Sequence, residues 1–586
     1  MNSVLNEISP NKKVKQRIGA NEWLERLLVT MVLAFFLITL VFPLLALFVQ
    51  ALYNKDNIFV GAQNFIEYFQ TATLVSSLKN TLFISTVTMF ISVTLAFFYA
   101  YSITRTRIIG KGIFRYMALL PLFAPTMMHG IALMYLFGNQ GFITKGFFGL
   151  FPGVDLHLYG PVGIIMAEIV YTFPQAFLIL LITLKTTDNR LYEAAETLGT
   201  GKWKQFLTIT LPSAKYGLIS SMFVVFTLSF TDYGAPKVVG GQYNVLATDI
   251  YKQVVGQQNL SMGATVGFIL MIPAVFAFIV DQMTQRKQST YLSSKSVPYK
   301  IGKNRKRDLA AFLYCFSITG FILILMFAVM AAALVKVWPY NLHLTLDHFS
   351  FSSYTGDGLT AYKNSLIISF LTAFFGTILT FLFAYAIEKI RKLFVYRKIS
   401  YLLSIIPLAV PGLVIGISYV FFFSRPEIII LNWSISNPFH SLYGTIWIIV
   451  LANILHFYSV AFVTATTALK KLDREFELVS ESMGIPFYKT FFKITVPMCL
   501  PAILEMSMFY FVNSMVTISA VVFLYSADFK LAAISIVNLD DAGNWASAAA
   551  MSVLIVFTNI VVKLLYEFGL KGLKKRTERW QLTNEN

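Results

Sequence analysis

Twelve long apolar runs, separated by short polar connections, constrain this chain more than any other feature of its sequence. The runs are about 20 residues long, and about 20 apolar residues in a helix cross a bilayer. Charged residues make up only 13% of the chain and hydrophobic residues 56%, whereas a soluble protein carries about a quarter charged residues. Because a lone chain in lipid must satisfy its backbone internally, we expect helices rather than strands. The sequence therefore predicts an all-α integral membrane protein in a lipid bilayer.

The predicted transmembrane helices follow the apolar runs between charged residues. The first run is too long for the apolar region of a signal peptide, and no small-residue cleavage site follows it, so we interpret it as a retained helix. The twelve predicted spans cover residues 26–52, 80–103, 114–137, 161–184, 213–233, 263–281, 310–335, 364–387, 400–424, 444–469, 498–523 and 546–566.

The basic residues predict how these helices are oriented. With the N-terminus in the cytoplasm, 38 of the 47 Lys and Arg residues fall in the predicted cytoplasmic segments, as the positive-inside rule requires. We therefore expect both termini in the cytoplasm. The same distribution accounts for the net charge of +18, so the charge gives no reason to expect a nucleic-acid partner.

An internal repeat at an offset of 284 to 286 residues runs through the chain. Asn80 corresponds to Asn364, and the segment 199–212 corresponds to 484–497. Six predicted spans separate equivalent points, so the two halves have the same orientation and enclose a path at their interface. The predicted divisions are an N-terminal tail (1–25), a first half (26–281), a basic cytoplasmic linker (282–309), a second half (310–568) and a C-terminal tail (569–586).

The polar segment 188–212 carries the motif with the strongest functional signal. We interpret it as a helix over 191–198, a break at Gly199 or Gly201, and a second helix that ends at Pro212. Its spacing resembles the EAA motif of permeases of binding-protein-dependent ABC importers. The resemblance implies a coupling helix that binds a groove of an ATPase subunit. The motif residues are Glu193, Ala194, Ala195, Gly199, Ile209, Leu211 and Pro212.

The second copy of the motif, residues 473–497, departs from this pattern. Leu478 stands where the first copy has its glutamate, so the carboxylate of the motif is lost unless Glu477 replaces it. We therefore expect the two halves to couple unequally to their ATPase partners. The coupling residues expected in this copy are Glu477, Glu481, Gly484, Ile494, Val496 and Pro497.

Polar and ionisable residues at membrane depth are candidates for the translocation path, because each is costly in lipid unless it is paired or hydrated. In the permeases that this chain resembles, the span after the coupling helix borders the path. The resemblance implies path positions at Asp232, Tyr233, Asn513, Ser514 and Thr517. Four further side chains either face the path or form hydrogen bonds between helices: Glu168, His129, His456 and Glu505.

The polar loop 234–263 has two possible roles at this stage. Its high content of Gly, Gln, Asn and Tyr suits either contact with a solute-binding protein or closure of the path. The spacing of its residues does not separate the two.

The chain lacks the motifs of an ATPase. Neither Gly201-Lys202 nor Gly302-Lys303 stands in a phosphate-binding loop. We therefore expect no enzyme activity and no cofactor in this chain, and the resemblance implies that ATP and Mg²⁺ bind a separate subunit. It further implies a multi-pass protein of the bacterial inner membrane, built as two six-helix type I importer halves. Its expected partners are two copies of an ABC ATPase subunit and one external solute-binding protein.

The resemblance also narrows the solute. The fusion of two halves is similar to ferric-iron importer permeases, whereas segments 231–264, 335–342 and 538–543 look closer to permeases assigned to 2-aminoethylphosphonate uptake. We expect this phosphonate, with ferric iron as the alternative. A proton-coupled major facilitator transporter also has twelve spans, but its Gly-x-x-x-Asp-Arg loop is missing after the second span. A membrane enzyme is disfavoured because the sequence shows no catalytic constellation.

Overall fold

The computed structural model describes residues 19–291, 297, 299–351, 358–390, 393–430, 433–473 and 475–577. Within them, ten helices are long and apolar enough to cross a membrane, and two bent helix pairs bring the total to twelve. The predicted all-α membrane fold with about twelve helices is confirmed. The ten unbent spans are Asn21–Ala51, Ala72–Arg105, Pro161–Lys185, Lys202–Thr231, Leu260–Thr284, Arg305–Leu334, Thr360–Glu388, Ile446–Lys471, Phe487–Val516 and Trp545–Leu570.

The bent pairs form the third span of each half. Lys111–Phe123 meets Thr126–Phe137 at 103°, and Phe394–Ala409 meets Gly412–Phe423 at 113°. Each second helix follows a proline, and the residue before that proline is extended, because the proline ring disfavours a helical residue in front of it. The predicted spans 114–137 and 400–424 are therefore wrong as continuous helices.

Hydrogen bonds at the helix ends show that each bent pair still crosses the membrane. Arg105, at the end of the second span, donates to the carbonyl of Leu184, at the end of the fourth, over 2.9 Å. Lys389 and Leu472 make the equivalent contact at 3.3 Å in the second half. Because the second and fourth spans end on the same side, the chain between them must cross once more. Each half thus has six crossings, and the halves are parallel.

One predicted helix boundary is wrong. The second motif helix does not end at Pro212, because one helical span runs from Lys202 to Thr231. A π-helical turn, Phe206–Thr210, lies just before that proline, where the ring removes a backbone donor from the helix. The helices that flank the predicted linker 282–309 extend into it, as Leu260–Tyr291 and Arg305–Leu334.

Equivalent side chains make equivalent hydrogen bonds in the two halves. Asn80 donates to the carbonyl of Asn244 at 3.0 Å, and Asn364 donates to that of Asp528 at 3.2 Å. These bonds hold the second span of each half against an inserted segment, which we define as residues 234–251 in the first half and 518–541 in the second. Both segments are largely buried, and their helices are Gly234–Val239, Leu246–Tyr251 and Ala532–Asp541.

The first span of each half packs against helices of the other half. Phe36 of the first span packs on Tyr458 of the tenth, with ring centroids 4.9 Å apart. In the reverse direction, Thr319 of the seventh span is hydrogen-bonded to Tyr99 of the second at 2.8 Å. The apolar core is therefore continuous between the halves.

Short elements fill the connections between the spans. Two antiparallel hairpins pair Val335–Val337 with Asn341–Leu344 and Glu427–Ile430 with Trp433–Ser436. The remaining short helices and 3₁₀ turns are Gln63–Gln70, Gly146–Gly149, Asn189–Thr197, Asp347–Phe349, His440–Leu442 and Glu475–Ser482.

Candidate functional site: two coupling helices and a central cavity

The predicted first coupling helix is an exposed helix, Asn189–Thr197, between the fourth and fifth spans. The Asp188 side chain caps its start, as short polar side chains do at a helix N-terminus. Gly199 follows its end with φ 68°, a left-handed conformation that glycine adopts without strain. Ala195 is buried against the membrane body, whereas Glu193 is exposed. The motif glutamate therefore faces outward, beside the equally exposed Ala194.

The second coupling helix, Glu475–Ser482, repeats this geometry. Gly484 follows it with φ 67°, and the chain then enters the eleventh span as in the first half. The remaining motif residues lie in the equivalent π-helical turns and the helix starts after them: Ile209, Leu211 and Pro212 in the fifth span, and Ile494, Val496 and Pro497 in the eleventh.

Exposed apolar side chains surround both glycine turns. Leu198 and Trp203 are 83% and 73% exposed in the first half. Their counterparts Met483 and Tyr488 are 68% and 42% exposed. Clustered apolar exposure of this kind marks an interaction surface. Both turns therefore have the character of a docking site for another subunit.

The end of the linker packs on the first coupling helix. Val297 accepts a hydrogen bond from the backbone N–H of Asn189 at 2.9 Å, and the Lys300 ammonium lies 3.9 Å from the Glu193 carboxylate. Asn189 also donates to Glu193 at 2.7 Å. We call this segment, Val297 with residues 299–301, the linker strap. From the sequence, we expected the linker only to connect the two halves.

Among the residues that the structure describes, the second predicted coupling helix borders an open groove, and no strap packs on it. The groove has a volume of about 610 Å³, and Glu477, Glu481 and Gly484 belong to its lining. Glu477 forms an ion pair with Lys389 at 3.0 Å, so its carboxylate is held toward the membrane body. Leu478, at the position of the first-half glutamate, is 45% exposed. The two coupling surfaces therefore differ in charge and in shape.

A cavity of about 110 Å³ lies at the interface of the halves. It brings together four of the five predicted path residues: Asp232, Tyr233, Asn513 and Thr517. Ser514 is not in the lining but is buried, and it accepts a hydrogen bond from Asn453 at 2.8 Å. Sequence reasoning missed further polar lining residues, which are Thr126, Tyr171, Gln175 and Ser519.

The cavity lies on the pseudo-twofold axis that relates the halves. Tyr171 and His456, which the repeat offset makes equivalent, both line it. Asp232 and Thr517 are equivalent too, and their backbone dihedrals agree to within one degree (φ −71°, ψ 138° and 137°). The repeat offset could therefore have identified Tyr171 as a lining residue, because His456 was already a candidate.

The inserted segments cover this cavity on the side away from the coupling helices. Tyr251 packs on the cavity residue Tyr233, with ring centroids 5.1 Å apart. Lys237 of the first segment forms an ion pair with Asp541 of the second at 2.6 Å, across the two halves. Of the two roles that the sequence left open for the loop 234–263, this burial favours closure of the path.

The remaining ionisable candidates have different surroundings. Glu168 is fully buried, does not line the cavity, and has no hydrogen-bond partner for its carboxyl oxygens among the described residues. His129 is fully buried and is not part of the cavity lining. Glu505 lies in an outer groove that also contains Lys471.

Comparison with known proteins agrees with this architecture. The family model of "Binding-protein-dependent transport system inner membrane component" matches residues 92–290 and 376–575, once in each half. The chain is 27% identical over 573 residues to the ferric transport system permease protein FbpB of Actinobacillus pleuropneumoniae, covering 95% of this chain and 79% of that protein. It is 28% identical over 540 residues to the putative ferric transport system permease protein FbpB 1 of Haemophilus influenzae, covering 89% and 80%.

A solved structure gives a partial match. A chain of a bacterial ABC transporter involved in the import of alginate matches 45% of this chain and 96% of its own length, with 19% identity and a TM-score of 0.40. The family match covers both halves of the sequence and does not depend on this similarity. The chain belongs to the family of binding-protein-dependent transport system inner membrane components, with two copies of the family domain fused in one polypeptide.

Proposed function

We propose that this chain forms the membrane path of an ATP-driven importer. Two ATPase subunits dock on the coupling helices Asn189–Thr197 and Glu475–Ser482, and an external binding protein delivers the solute to the opposite side. The observation that carries the proposal is the duplicated exposed helix with its glycine turn and apolar surroundings. ATP and Mg²⁺ bind the partner subunits, and both termini lie in the cytoplasm of a bacterial cell.

The proposed solute is 2-aminoethylphosphonate. The resemblance of segments 231–264, 335–342 and 538–543 to permeases of that assignment supports it. Ferric iron is the second candidate, because the curated relatives that align over most of this chain are ferric transport permeases. 2-Aminoethylphosphonate has an ammonium group beside its anionic phosphonate, and ferric iron is a cation, so each has a positively charged part that suits the Asp232 side chain in the cavity wall.

Uptake into membrane vesicles tests which energy source drives transport. With ATP, the ATPase subunits and the loaded binding protein present, orthovanadate should stop uptake, and collapse of the proton gradient should leave it unchanged. The opposite pattern would identify a proton-coupled transporter and refute the proposal. Parallel assays with 2-aminoethylphosphonate and with ferric iron decide between the two solutes.

The inequality of the coupling helices has a separate test. Leu478→Glu restores the motif carboxylate in the second half, and we expect it to raise ATP hydrolysis stimulated by the loaded binding protein. Glu193→Leu makes the opposite exchange in the first half and should lower it. Equal, small effects of both variants would show that the carboxylate does not contribute to coupling.

A further inference from the structure

We propose that Tyr299 of the linker strap is a positioning residue of the first predicted coupling helix. Through the strap, that helix is fixed to the second span and to the start of the seventh, so that the motion of one ATPase subunit reaches both halves. This inference rests on the proposed function and deepens it, because it names the element through which the first coupling helix acts.

Backbone hydrogen bonds join the strap to the start of the coupling helix. The N–H of Asn189 donates to the carbonyl of Val297 at 2.9 Å, and the side-chain oxygen of Asn189 accepts the N–H of Lys300 at 3.0 Å. The N–H of Val297 donates to the Asp188 carboxylate at 3.2 Å. The first N–H groups of a helix have no partner within the helix, and Asn189 is buried. The strap therefore satisfies a donor that is hidden from water.

The ring of Tyr299 connects the coupling helix with the second span. It packs edge-on against the ring of Tyr192, with centroids 4.8 Å apart, and the Arg105 guanidinium carbon lies 4.3 Å from its centroid. Arg105 is buried, and a cation over an aromatic ring binds more strongly when it is desolvated. The Tyr192 hydroxyl is hydrogen-bonded to Thr210 of the fifth span at 2.8 Å. The coupling helix is thus connected to two spans around one ring.

The other end of the strap is held at the start of the seventh span. Arg107, just after the second span, donates from Nε to the carbonyl of Ile301 at 2.9 Å. Its backbone N–H donates to the Asp308 carboxylate at 3.2 Å, and Asp308 lies in the first turn of the seventh span. A contiguous network therefore runs from the coupling helix into the second half, and contiguous networks of this kind can carry coupling between distant sites.

The strap leaves the docking surface open. Ala194, Leu198 and Trp203 remain exposed beside it, and so does the side chain of Lys300. A segment that blocked an ATPase subunit would cover these side chains. The strap instead contacts the start of the helix and the buried Tyr192, which suits positioning and not inhibition.

The second half makes the equivalent connection by a direct ion pair. Lys389, the counterpart of Arg105, lies 3.0 Å from the carboxylate of Glu477, and the repeat places Glu477 at the position of Tyr192. In the first half the guanidinium is 5.5 Å from the Tyr192 ring and closer to the Tyr299 ring. Tyr299 therefore provides the contact that the ion pair provides in the second half.

The experiment uses the reconstituted complex of the full chain, the ATPase subunits and the binding protein in liposomes. Tyr299→Leu removes the ring, whereas Tyr299→Phe keeps it. Tyr116→Leu, at an exposed tyrosine in the first helix of the third span, is the matched control. The measured quantity is the amount of solute imported per ATP hydrolysed, with 2-aminoethylphosphonate and ferric iron as parallel probes. Tm is measured for each variant.

We expect Tyr299→Leu to lower the imported solute per ATP about fivefold, as the loss of a buried cation–π contact allows. Hydrolysis without binding protein should not change, because the docking surface is intact. Tyr299→Phe and the control should keep the ratio of the unmodified complex. Arg105→Lys with Tyr192→Glu installs the ion pair of the second half, and Tyr299→Leu should lose its effect in that background.

Three results would overturn the inference: an unchanged ratio in Tyr299→Leu, an equal loss in Tyr299→Phe, or an undiminished effect of Tyr299→Leu beside the installed ion pair. Uptake and hydrolysis that fall in proportion, together with Tm, would assign the ring only a structural role and also refute it. Failure of the proposed function has a different signature, because the unmodified complex would then import neither probe when ATP is supplied.

Discussion

The same cationic position is stabilised in two ways in the two halves. Arg105 and Lys389 are equivalent, and each donates to a carbonyl at the end of a neighbouring span. In the first half the guanidinium lies over the ring of Tyr299 from the linker strap, 4.3 Å from its centroid. In the second half the ammonium pairs with Glu477. In the first half, an aromatic ring of the linker strap thus stands where the second half has a carboxylate.

Removal of the Glu477 charge should destabilise the protein. The Lys389 side chain is only 7% exposed, and Glu477→Gln leaves its charge without a carboxylate. We expect a loss of about 2 kcal/mol in the free energy of unfolding. This value lies at the low end of the losses measured for broken ion pairs, because Glu477 is partly exposed. Unfolding in mixed detergent micelles measures it. Glu481→Gln, an exposed site on the same helix, is the control and should change stability by less than about 0.5 kcal/mol.

Asp540, in the second inserted segment, should make stability depend on pH. Burial, with Asp541 beside it, raises the pKa of the Asp540 carboxyl to about 6. The folded protein therefore holds this proton more tightly than the unfolded chain, and the stabilisation is lost as pH rises from about 4 through about 6. We expect Tm to be lower at pH 7 than at pH 5. Asp540→Asn should reduce that difference, and an unchanged difference would contradict the assignment.

At the scale of elements, the bent spans and the inserted segments fit together in a reciprocal way. A Cβ atom on Gly234 would lie 2.1 Å from the Thr126 hydroxyl, and one on Gly412 would lie 2.4 Å from that of Ser519. The repeat makes Gly234 equivalent to Ser519 and Thr126 equivalent to Gly412. Each contact therefore pairs one glycine with one hydroxyl residue, in opposite order in the two halves.

This reciprocal arrangement predicts that a second substitution restores the stability lost through the first. Gly234→Ser should cost about 1–3 kcal/mol, as overpacking of a close contact does. The added change Thr126→Gly rebuilds the arrangement of the second half and should recover most of the loss. A double-mutant cycle on unfolding free energies measures the coupling. Additive losses would mean that the two positions do not share a contact.

At the scale of the whole molecule, the halves are joined by exchanged first spans and closed by the inserted segments. The exchanged spans bury large apolar surfaces between the halves. The closing contact between the inserted segments is smaller: it includes the Lys237–Asp541 ion pair and the contact of Tyr251 with Phe523 of the second half, whose ring centroids lie 6.4 Å apart. Opening of the path can therefore break the small contact and leave the large one intact.

Loss of this ion pair should favour the open path. A partly exposed pair contributes about 1 kcal/mol at most, which corresponds to about a fivefold change in an equilibrium. We expect Lys237→Ala and Asp541→Ala each to raise ATP hydrolysis without binding protein by a few fold in the reconstituted complex. The charge-swapped double variant, Lys237→Asp with Asp541→Lys, should return it toward the original rate. If the charge-swapped variant did not return toward the original rate of ATP hydrolysis, the ion pair would not control the opening of the path.

The number of crossings, the parallel halves, the two glycine turns and the four predicted path positions that line the cavity could all be predicted from the order of residues alone. These features depend on apolar run length, on a constant repeat offset and on local backbone preferences, and all three can be read along one dimension.

The contacts between residues far apart in the chain could not be predicted in this way and follow from the folded structure. Thr126, Gln175 and Ser519 line one cavity although they belong to three different parts of the chain, and Thr126 begins the helix that follows a sharp bend of the third span. The linker strap likewise contacts the first predicted coupling helix through residues more than 100 positions away. Such contacts join residues far apart in the chain, and their geometry follows from the packing of the whole bundle.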